Sequence, residues 1–594
     1  MPHPAKTARI RWLLPTLALG LLLFLPGLVI ADVTNPLCSG EKVFFDPGNG
    51  EDIIVPSGFT VSVFAKGLNA PTAVAFRGNA KKFEVFVLES GHGLPSICND
   101  EEKFQNTHAP GTPNPFTPDI LVFNQTGTLI AGPLGKPTDA TSVTGGSDVF
   151  QPHGPAIDIA FENGFNGGRL FASDSNQSLR TTGNNNSSRI VTVNPDTGSV
   201  SPFITGLPTG DHPAEQITFK GDWIYWSQGS TTNSGVVGRD NGGGANQQDI
   251  PCQDIKLSDN VFDSGGGVKT SGYSPFGMRR PGATVTAFES ATGPGICDGA
   301  ILRANHHAKN PKDTVEPFSW GYRNPYGIRF APDDHPLRGG LFVTENGEDE
   351  RGARPTENAP DRLHLAQQNP DGSPDYHGWP DRFGFLDSTQ AMFNPTGGPG
   401  DDLCNPPAMP VFNAAACRAA ITAADVPVRH VLAFPPQAIT AALALEPADV
   451  AIVGVDFVPD SFVHGPVRRG AALAGREGDF GFAAANGNPE EGHDIQLINF
   501  KDPLQLQLQR FAYNSTFEQA FVGRIHGINR PVDLKFGPDD CAYLVDYGAV
   551  RDFGQSDPDS KFQVAGDGPL VQFPGTGVVW KICRTAGSSG GGDD

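Results

Sequence analysis

The sequence predicts an all-β protein, namely a six-bladed β-propeller with long loop insertions. A recurrent pair of short apolar runs occurs six times along the 594 residues, with uneven spacing between the copies. The chain also contains 73 Gly and 53 Pro, which favour turns and short strands over long helices. A small twisted sheet cannot bury both of its faces alone, and in a propeller such sheets stack around a central channel. The alternatives are a pair of β-sandwiches or a β-helix.

Each copy of the repeat begins with a run that ends in Phe and continues, after a turn, with an apolar run that ends in a polar residue. The first runs end at Phe76, Phe161, Phe219, Phe330, Phe457 and Phe536. The second runs are VFVLESG, LFASDS, IYWSQGS, LFVTENG, FGFAAANG and AYLVDYG. Insertions are predicted at 95–150, 231–318 and 381–450, and in the third of these FNAAACRAAITAADV and ITAALALEPADV could hold short helices.

The first 31 residues predict an export signal. Three basic residues precede an apolar core, and Val29 and Ala31 supply the small residues expected at a cleavage site, whereas an uncleaved anchor is the alternative. No later run has the roughly 20 apolar residues that a membrane span needs. We therefore expect a secreted or periplasmic protein, with the propeller at 45–585 and a disordered tail at 586–594.

The cysteines suggest a disulfide framework. Eight cysteines in an exported chain predict up to four disulfides. Cys541 and Cys583 would face each other if their strands paired antiparallel with Tyr543 opposite Lys581. The next most local pairings are Cys252 with Cys297 and Cys404 with Cys417.

The net charge of −22 excludes two classes of partner. A strongly negative surface repels nucleic acid and anionic lipid, so we expect neither as a partner.

Polar residues precede the prolines of the first runs, at positions that would meet at one mouth of the channel. These positions hold Asn69 and Ala70, His153 and Gly154, Asp211 and His212, Arg323 and Asn324, and Asn529 and Arg530. Arginine can orient an anionic ligand, and histidine can act as a base near neutral pH. The alternative is that these groups only bond strand-end carbonyls. Arg323 and Asn324, the pair in WGYRNPYGIRF, favour a ligand, since a simple turn offers few hydrogen-bond acceptors to two long side-chain donors.

Acidic residues crowd into TENGEDERG, directly after the second run of the fourth copy. They are Glu345, Glu348, Asp349 and Glu350. Carboxylates and turned-out carbonyls are the hard oxygen ligands that calcium requires, although the spacing does not match an EF-hand and a solvated acidic turn would look the same. The adjacent His306 and His307 cannot both face one metal from a regular element, and we expect both at the surface.

The central part of the chain resembles a known family. The segments YRNPYGIRF, GGLFVTENGEDERG, APDRLHL and DYHGWP are similar to the signature of the soluble glucose/sorbosone dehydrogenase family of six-bladed quinoprotein propellers. The resemblance implies an exported oxidoreductase that uses pyrroloquinoline quinone (PQQ) and calcium to oxidise a sugar or related alcohol or aldehyde. Because the chain has no CxxCH haem motif, electrons would leave to an external acceptor.

The resemblance also implies roles for individual residues. His153 corresponds to the catalytic base, and Arg323 and Asn324 correspond to residues that bind the quinone. Arg323 would also stabilise charge on the reacting quinone oxygen. Arg530 lies near the arginines that hold the quinone carboxylates.

The implied calcium site is the turn at Gly347 and Glu348, where backbone carbonyls would hold the ion. No lysine matches the one that some members set against the quinone, and Arg468 and Arg469 are candidates to replace it.

Two other functions stay open at this point. One is a non-enzymatic propeller that binds a carbohydrate or a protein through its inserted loops. The other is a calcium-dependent propeller hydrolase or lactonase, which would use mouth carboxylates without a quinone. The sequence does not name the substrate.

Overall fold

A computed structural model describes residues 32–91, 97–134, 154–175, 186–238, 248–264, 267–349, 353–354, 356–357, 359–381, 392–393, 430–447, 450–478, 492–502, 504–516, 524–552 and 570–585. These residues are almost entirely β-structure and form six sheets arranged as a six-bladed propeller, which confirms the predicted fold class.

Blades 1 to 3 follow one another along the chain, and the strands are given from the channel outward. Blade 1 consists of Pro71–Asn79, Lys82–Glu89, Asp119–Asn124 and Leu129–Leu134. Blade 2 consists of Ala156–Phe161, Leu170–Asp174, Ser188–Val193 and Val200–Leu207. Blade 3 consists of Ala214–Lys220, Trp223–Gln228, Ala300–Asn305 and Glu316–Trp320, with the parallel strand Asp375–Tyr376 at its outer edge.

Blades 4 to 6 complete the ring. Blade 4 consists of Ile328–Phe330, Leu341–Glu345, Arg362–Ala366 and Ala444–Leu445. Blade 5 consists of Ile452–Phe457, Ala472–Arg476, Asp494–Asp502 and Gln505–Asn514, with Ile53–Ile54 at its edge. Blade 6 consists of Pro531–Phe536, Ala542–Asp546, Gly577–Arg584 and Phe59–Leu68. Early and late parts of the chain therefore share the last blade, which closes the ring.

Smaller elements lie outside the blades. A three-stranded sheet contains Asp32–Thr34, Lys42–Phe45 and Arg524–Ile525. Two-stranded sheets pair Ile255–Lys256 with Thr284–Val285, Phe262–Asp263 with Lys269–Thr270, Thr356–Glu357 with Met392–Phe393, and Val550–Asp552 with Leu570–Gln572. The described residues contain one α-helix, Glu101–Thr107, and the 3-10 turns Gly164–Asn166, Pro311–Thr314 and Asp460–Phe462. None of their helices is long and apolar enough to cross a membrane.

The first strands of the blades surround the channel. Each contacts the first strands of the two neighbouring blades, and these contacts run in ring order from blade 1 to blade 6 and back. All six repeat phenylalanines lie in these strands. The residues that precede the first strands therefore meet at one end of the channel, which we call the mouth.

Six polar side chains of the first strands form a layer below the mouth, which we call the polar belt: Asp158, Gln216, Arg329, Asp456, Asp533 and Lys535. Lys535 Nζ lies 2.6 Å from Asp158 Oδ1, and Gln216 Nε2 donates to Asp533 Oδ1 at 2.8 Å. Gln216 and Asp533 belong to blades 3 and 6, which are opposite in a six-membered ring, so their bond crosses the channel. The mouth is therefore a blind pocket rather than the end of a tunnel.

Three expectations about strands and insertions were wrong. Blade 5 takes Ala472–Arg476 as its second strand, whereas FGFAAANG lies outside the described residues. The segment Ala472–Arg476 is rich in Ala and has low β-propensity, but its packing between neighbouring sheets outweighs this preference. Within ITAALALEPADV, Ala444–Leu445 is a strand that pairs with Arg362 and Leu363 rather than part of a helix. The insertions at 95–150 and 231–318 are shorter than expected, because each also contains two outer strands of its blade.

Three disulfides are present in the described residues. Cys541 pairs with Cys583, and Tyr543 lies opposite Lys581 in the same ladder, as predicted. The pairing of Cys252 with Cys297 is also confirmed. A third bond, Cys38–Cys98, was not predicted. The expected Cys404–Cys417 pair lies outside the described residues.

Candidate active site at the mouth of the channel

Backbone hydrogen bonds hold the predicted polar residues at the mouth. The carbonyl of Arg323 accepts from Ser230 N at 2.8 Å, and that of Arg530 accepts from Tyr547 N at 2.8 Å. Arg323 and Asn324 thus stand on blade 4 and Arg530 on blade 6, with blade 5 between them. The predicted base, His153, lies outside the described residues.

Arg323 is anchored by several hydrogen bonds and is only 3% exposed. Its backbone N–H donates to Glu345 Oε1 at 2.7 Å, and its Nη1 donates to the carbonyl of Gly347. Its Nη2 donates to Asp349 and lies 3.8 Å from Asp211 Oδ2. Its Nε is buried and has no hydrogen-bond partner among the described residues. The guanidinium is therefore fixed in place, and its Nε–H could bind a ligand.

Asn324 connects blade 4 to blade 3. With its NH2 group turned toward Glu215, it donates to the two carboxylate oxygens at 3.0 and 2.6 Å, and its oxygen accepts from His212 Nδ1 at 3.2 Å. Burial raises the pKa of Glu215 well above its usual value, and the nearby charge of Arg323 only partly opposes this. Glu215 therefore belongs to the site, beside the two predicted residues.

The acidic turn lies against Arg323, and the carboxylates of Glu345 and Glu348 are buried, whereas that of Asp349 is partly exposed. Gly347 N donates to Asp361 Oδ1 at 2.6 Å, and Glu348 Oε2 accepts from Arg362 Nη2 at 2.9 Å. Burial raises the pKa of Glu348 to about 7 against the charge of Arg362, and burial likewise raises the pKa of Asp361 to about 7. Glu350 lies outside the described residues. Negative charge is thus in excess on this side of the mouth.

The turn at Gly347 and Glu348 offers two kinds of oxygen atom that a hard cation could use. Glu348 Oε1 is a buried carboxylate oxygen with no hydrogen-bond partner among the described residues, and the Gly347 carbonyl turns toward the charged group of Arg323. Carboxylate and carbonyl oxygens are the ligands that calcium prefers. Within the described part of the chain, no three His, Cys, Asp or Glu residues could enclose a metal ion. A calcium ion here would therefore need further oxygen atoms from a bound ligand or from water.

Arg530 forms a second charged centre of the mouth. Its Nη1 donates to the carbonyl of Gly478 at 3.2 Å. Burial raises the pKa of the neighbouring Glu477 to about 7, against the charge of Arg530, whereas burial and Arg530 together lower the pKa of His493 to about 3. A neutral imidazole and a titrating carboxyl thus stand beside this arginine.

Two sequence expectations about basic residues need correction. Arg468 and Arg469 follow the first strand of blade 5 and therefore lie at the end of the channel opposite the mouth, where Arg469 pairs with Asp460 at 2.8 Å. They cannot replace a lysine at the mouth. His307 is exposed as expected, but His306 is 3% exposed because its ring is enclosed between blades 2 and 3.

The sequence reading missed several groups of the site. These are Glu215, Asp361, Arg362, Glu477 and His493, together with the pair His364 and His377. Charged residues inside the otherwise apolar runs DHPAEQITF and APDRLHL were the available signal, since such residues are seldom buried without a partner.

No protein-family model matches the chain, and no match was found among curated proteins. Among solved structures, the chain is similar to a Trichoderma reesei carbohydrate-active enzyme of family AA12, with 13% identity over 91% of this chain and 99% of that one and a TM-score of 0.45. It is also similar to a Thermus thermophilus protein provisionally assigned as an oxidoreductase (glucose dehydrogenase), with 14% identity, coverage of 89% and 100%, and a TM-score of 0.41. A Xanthomonas campestris gluconolactonase gives 8% identity, coverage of 91% and 97%, and a TM-score of 0.33. These similarities do not decide the activity of this chain.

Proposed function

We propose that this protein is an exported oxidoreductase that uses PQQ and calcium to oxidise a sugar or a related alcohol or aldehyde, and that it passes electrons to an external acceptor. The observation that carries the proposal is the buried Arg323 at the blind mouth: its Nε–H has no partner within the described part of the chain, and its other two nitrogens donate to Gly347 and Asp349. The resemblance of the segments around it to quinoprotein propellers supports the same activity.

The residues that would hold the two groups stand on three blades. Arg323 and Asn324 would bind the quinone from one side and Arg530 from another, while Gly347 and Glu348 would bind calcium. When bound, PQQ would accept a hydride from the substrate carbon, with calcium polarising the quinone. Arg323 contributes a fixed positive charge, which favours a negative oxygen placed beside it.

The substrate would enter from the open side of the mouth, because the polar belt closes the other side. We assign to His153 the role of base that takes the proton from the substrate hydroxyl. A blind pocket limits access of water, which strengthens the interactions of Arg323 with a charged ligand.

A hydrolase or lactonase acting at the same mouth is the second candidate. It is favoured by the carboxyl groups of Glu348, Asp361 and Glu477, whose pKa values are raised to about 7. Groups that titrate near neutral pH suit general acid and base catalysis. Hydrolysis of lactones without added quinone would support this candidate.

The deciding experiment is to add PQQ and calcium to the purified apoprotein, titrate binding by quinone absorbance, and then measure dye reduction with a panel of aldoses, alcohols and aldehydes. We expect stoichiometric calcium-dependent binding and reduction with at least one substrate class. The matched control is Arg338→Ala, because Arg338 is exposed at the opposite end of blade 4 and should leave binding unchanged. Absence of quinone binding in the presence of calcium contradicts the proposal.

A further inference from the structure

A continuous row of buried hydrogen bonds leads away from the Arg323 site toward the contact between blades 3 and 4. His364 Nε2 lies 2.7 Å from Glu345 Oε2, and His364 Nδ1 lies 3.0 Å from His377 Nδ1. His377 Nε2 lies 3.0 Å from Asp375 Oδ2. None of these four residues is more than 6% exposed. We call this row the histidine chain.

The three hydrogen bonds of the histidine chain require one more proton than its groups ordinarily carry at neutral pH. Its three hydrogen bonds need three protons. Two neutral imidazoles supply one N–H each, and two ionised carboxylates supply none. With only two protons, each N–H would face a carboxylate and the two Nδ1 lone pairs would face each other at 3.0 Å. The geometry therefore indicates a third proton.

The surroundings of the histidine chain favour holding that proton. Arg362 Nη1 lies 2.9 Å from Glu345 Oε2, and this ion pair keeps the carboxylate a hydrogen-bond acceptor. Burial lowers the pKa of His364 to about 4, although the hydrogen bond with Glu345 opposes this effect. The other end of the chain lies at His377 and Asp375. There Tyr322 stacks on His377 with ring centroids 4.6 Å apart, and Asp375 Oδ1 has no hydrogen-bond partner among the described residues.

The near end of the histidine chain reaches the proposed quinone site. Glu345 Oε1 accepts the backbone N–H of Arg323 at 2.7 Å, and Glu345 Oε2 accepts from both His364 and Arg362. The position of Arg323 thus depends on the Glu345 carboxylate, which in turn accepts a hydrogen bond from His364.

We propose that His364 and His377 are positioning residues that share one extra proton across their Nδ1 atoms and, through Glu345, hold Arg323 in the orientation that binds an anionic ligand. Loss of this proton at alkaline pH breaks the Nδ1 contact and loosens Glu345. Ligand binding at Arg323 therefore weakens as pH rises. The effect on ligand binding rests on the proposed function, whereas the third proton does not.

The third proton is tested in the apoprotein by NMR with 15N-labelled histidine rings, with His377 assigned from the signal that disappears in His377→Gln. At pH 7 we expect a proton on Nδ1 of one of the two rings and on Nε2 of His364. If His377 instead has a bare Nε2, Asp375 carries the proton and the proposal stands. If neither Nδ1 is protonated, the proposal is overturned.

The positioning role is tested by measuring PQQ affinity between pH 6 and 10 in the wild type, in His377→Gln and in the control His307→Gln. His307 is an exposed histidine on blade 3. We expect affinity to fall about tenfold across this range in the wild type and the control, a difference of about 1.4 kcal/mol. His377→Gln should bind about tenfold more weakly than the wild type at pH 6, and it should show no further fall above pH 8, where the mouth carboxyl groups with pKa values of about 7 are already ionised. A fall between pH 8 and 10 in His377→Gln that equals the fall in the wild type overturns the positioning role. If no variant binds PQQ, the proposed function fails and the NMR result alone decides the third proton.

Discussion

Two buried polar clusters lie inside the same ring of first strands, and they differ in charge balance. The polar belt contains three carboxylates and two cations: Asp158, Asp456 and Asp533 with Arg329 and Lys535. The side of the mouth formed by blades 3 and 4 contains six carboxylates and two arginines: Asp211, Glu215, Glu345, Glu348, Asp349 and Asp361 with Arg323 and Arg362.

The titration of the two clusters differs accordingly. In the polar belt, the charges of Asp158 and Asp533 outweigh the effect of burial and raise the pKa of Lys535, so Lys535 stays protonated. At the mouth, burial raises the pKa of Glu348 and Asp361 to about 7. A cluster with nearly equal numbers of positive and negative charges can stabilise the fold by itself. A buried excess of carboxylates favours binding of a cation or another ligand.

The largest expected effect comes from removing a positive charge from the polar belt. Lys535→Met leaves Asp158 and Asp533 buried without their cation and should lower the free energy of unfolding by about 3–5 kcal/mol. Urea unfolding measures this change. The control Lys269→Met removes an exposed pair with Asp263 and should cost at most about 1 kcal/mol. Equal effects of the two substitutions would mean that the belt is not a stabilising unit.

A smaller loss is expected from Arg323→Lys, which keeps the charge at the mouth but removes the planar fork. Dye reduction should fall about 100-fold, equivalent to about 2.7 kcal/mol, because a donor placed beside the reacting oxygen is lost. Urea unfolding should show a folded variant that loses less stability than Lys535→Met, because Lys keeps the positive charge among the mouth carboxylates. Full activity in this variant would remove Arg323 from the mechanism.

A third prediction concerns pH and the mouth carboxyl Glu89. Burial raises the pKa of Glu89 from 4.5 to about 7, so the folded protein keeps a proton that the unfolded chain gives up. Its contribution to stability is therefore present below about pH 4.5 and lost as pH rises through 7. Glu89→Gln should raise the free energy of unfolding at pH 8 by about 2 kcal/mol and have little effect at pH 4.5. The exposed Asp333→Asn serves as the control, and a pH-independent effect of Glu89→Gln would contradict the assignment.

The smallest effect is expected at the proposed calcium site. Glu348→Gln should weaken calcium binding about tenfold, or about 1.4 kcal/mol, because one hard oxygen ligand loses its charge. Calorimetric titration of the apoprotein measures the affinity. Asp371→Asn, on an exposed loop, should change nothing. Unchanged affinity in Glu348→Gln would place calcium elsewhere.

Local patterns predicted the elements whose signals lie within a few residues. The terminal phenylalanines identified all six first strands, and the antiparallel register with Tyr543 opposite Lys581, on which the Cys541–Cys583 pairing depended, is confirmed. The strands Ala472–Arg476 and Ala444–Leu445 were missed, because their pairing with neighbouring strands outweighs their weak local preference.

By itself, the sequence determined the all-β class, the six repeats and the meeting of Arg323, Asn324 and Arg530 at one mouth, since a repeat puts equivalent positions at equivalent places. Only the tertiary structure decided which distant groups touch. Gln216 and Asp533, 317 positions apart, close the channel, and His364 and His377 meet between two blades. Such contacts depend on the angle and spacing between blades, which packing sets and no local pattern encodes.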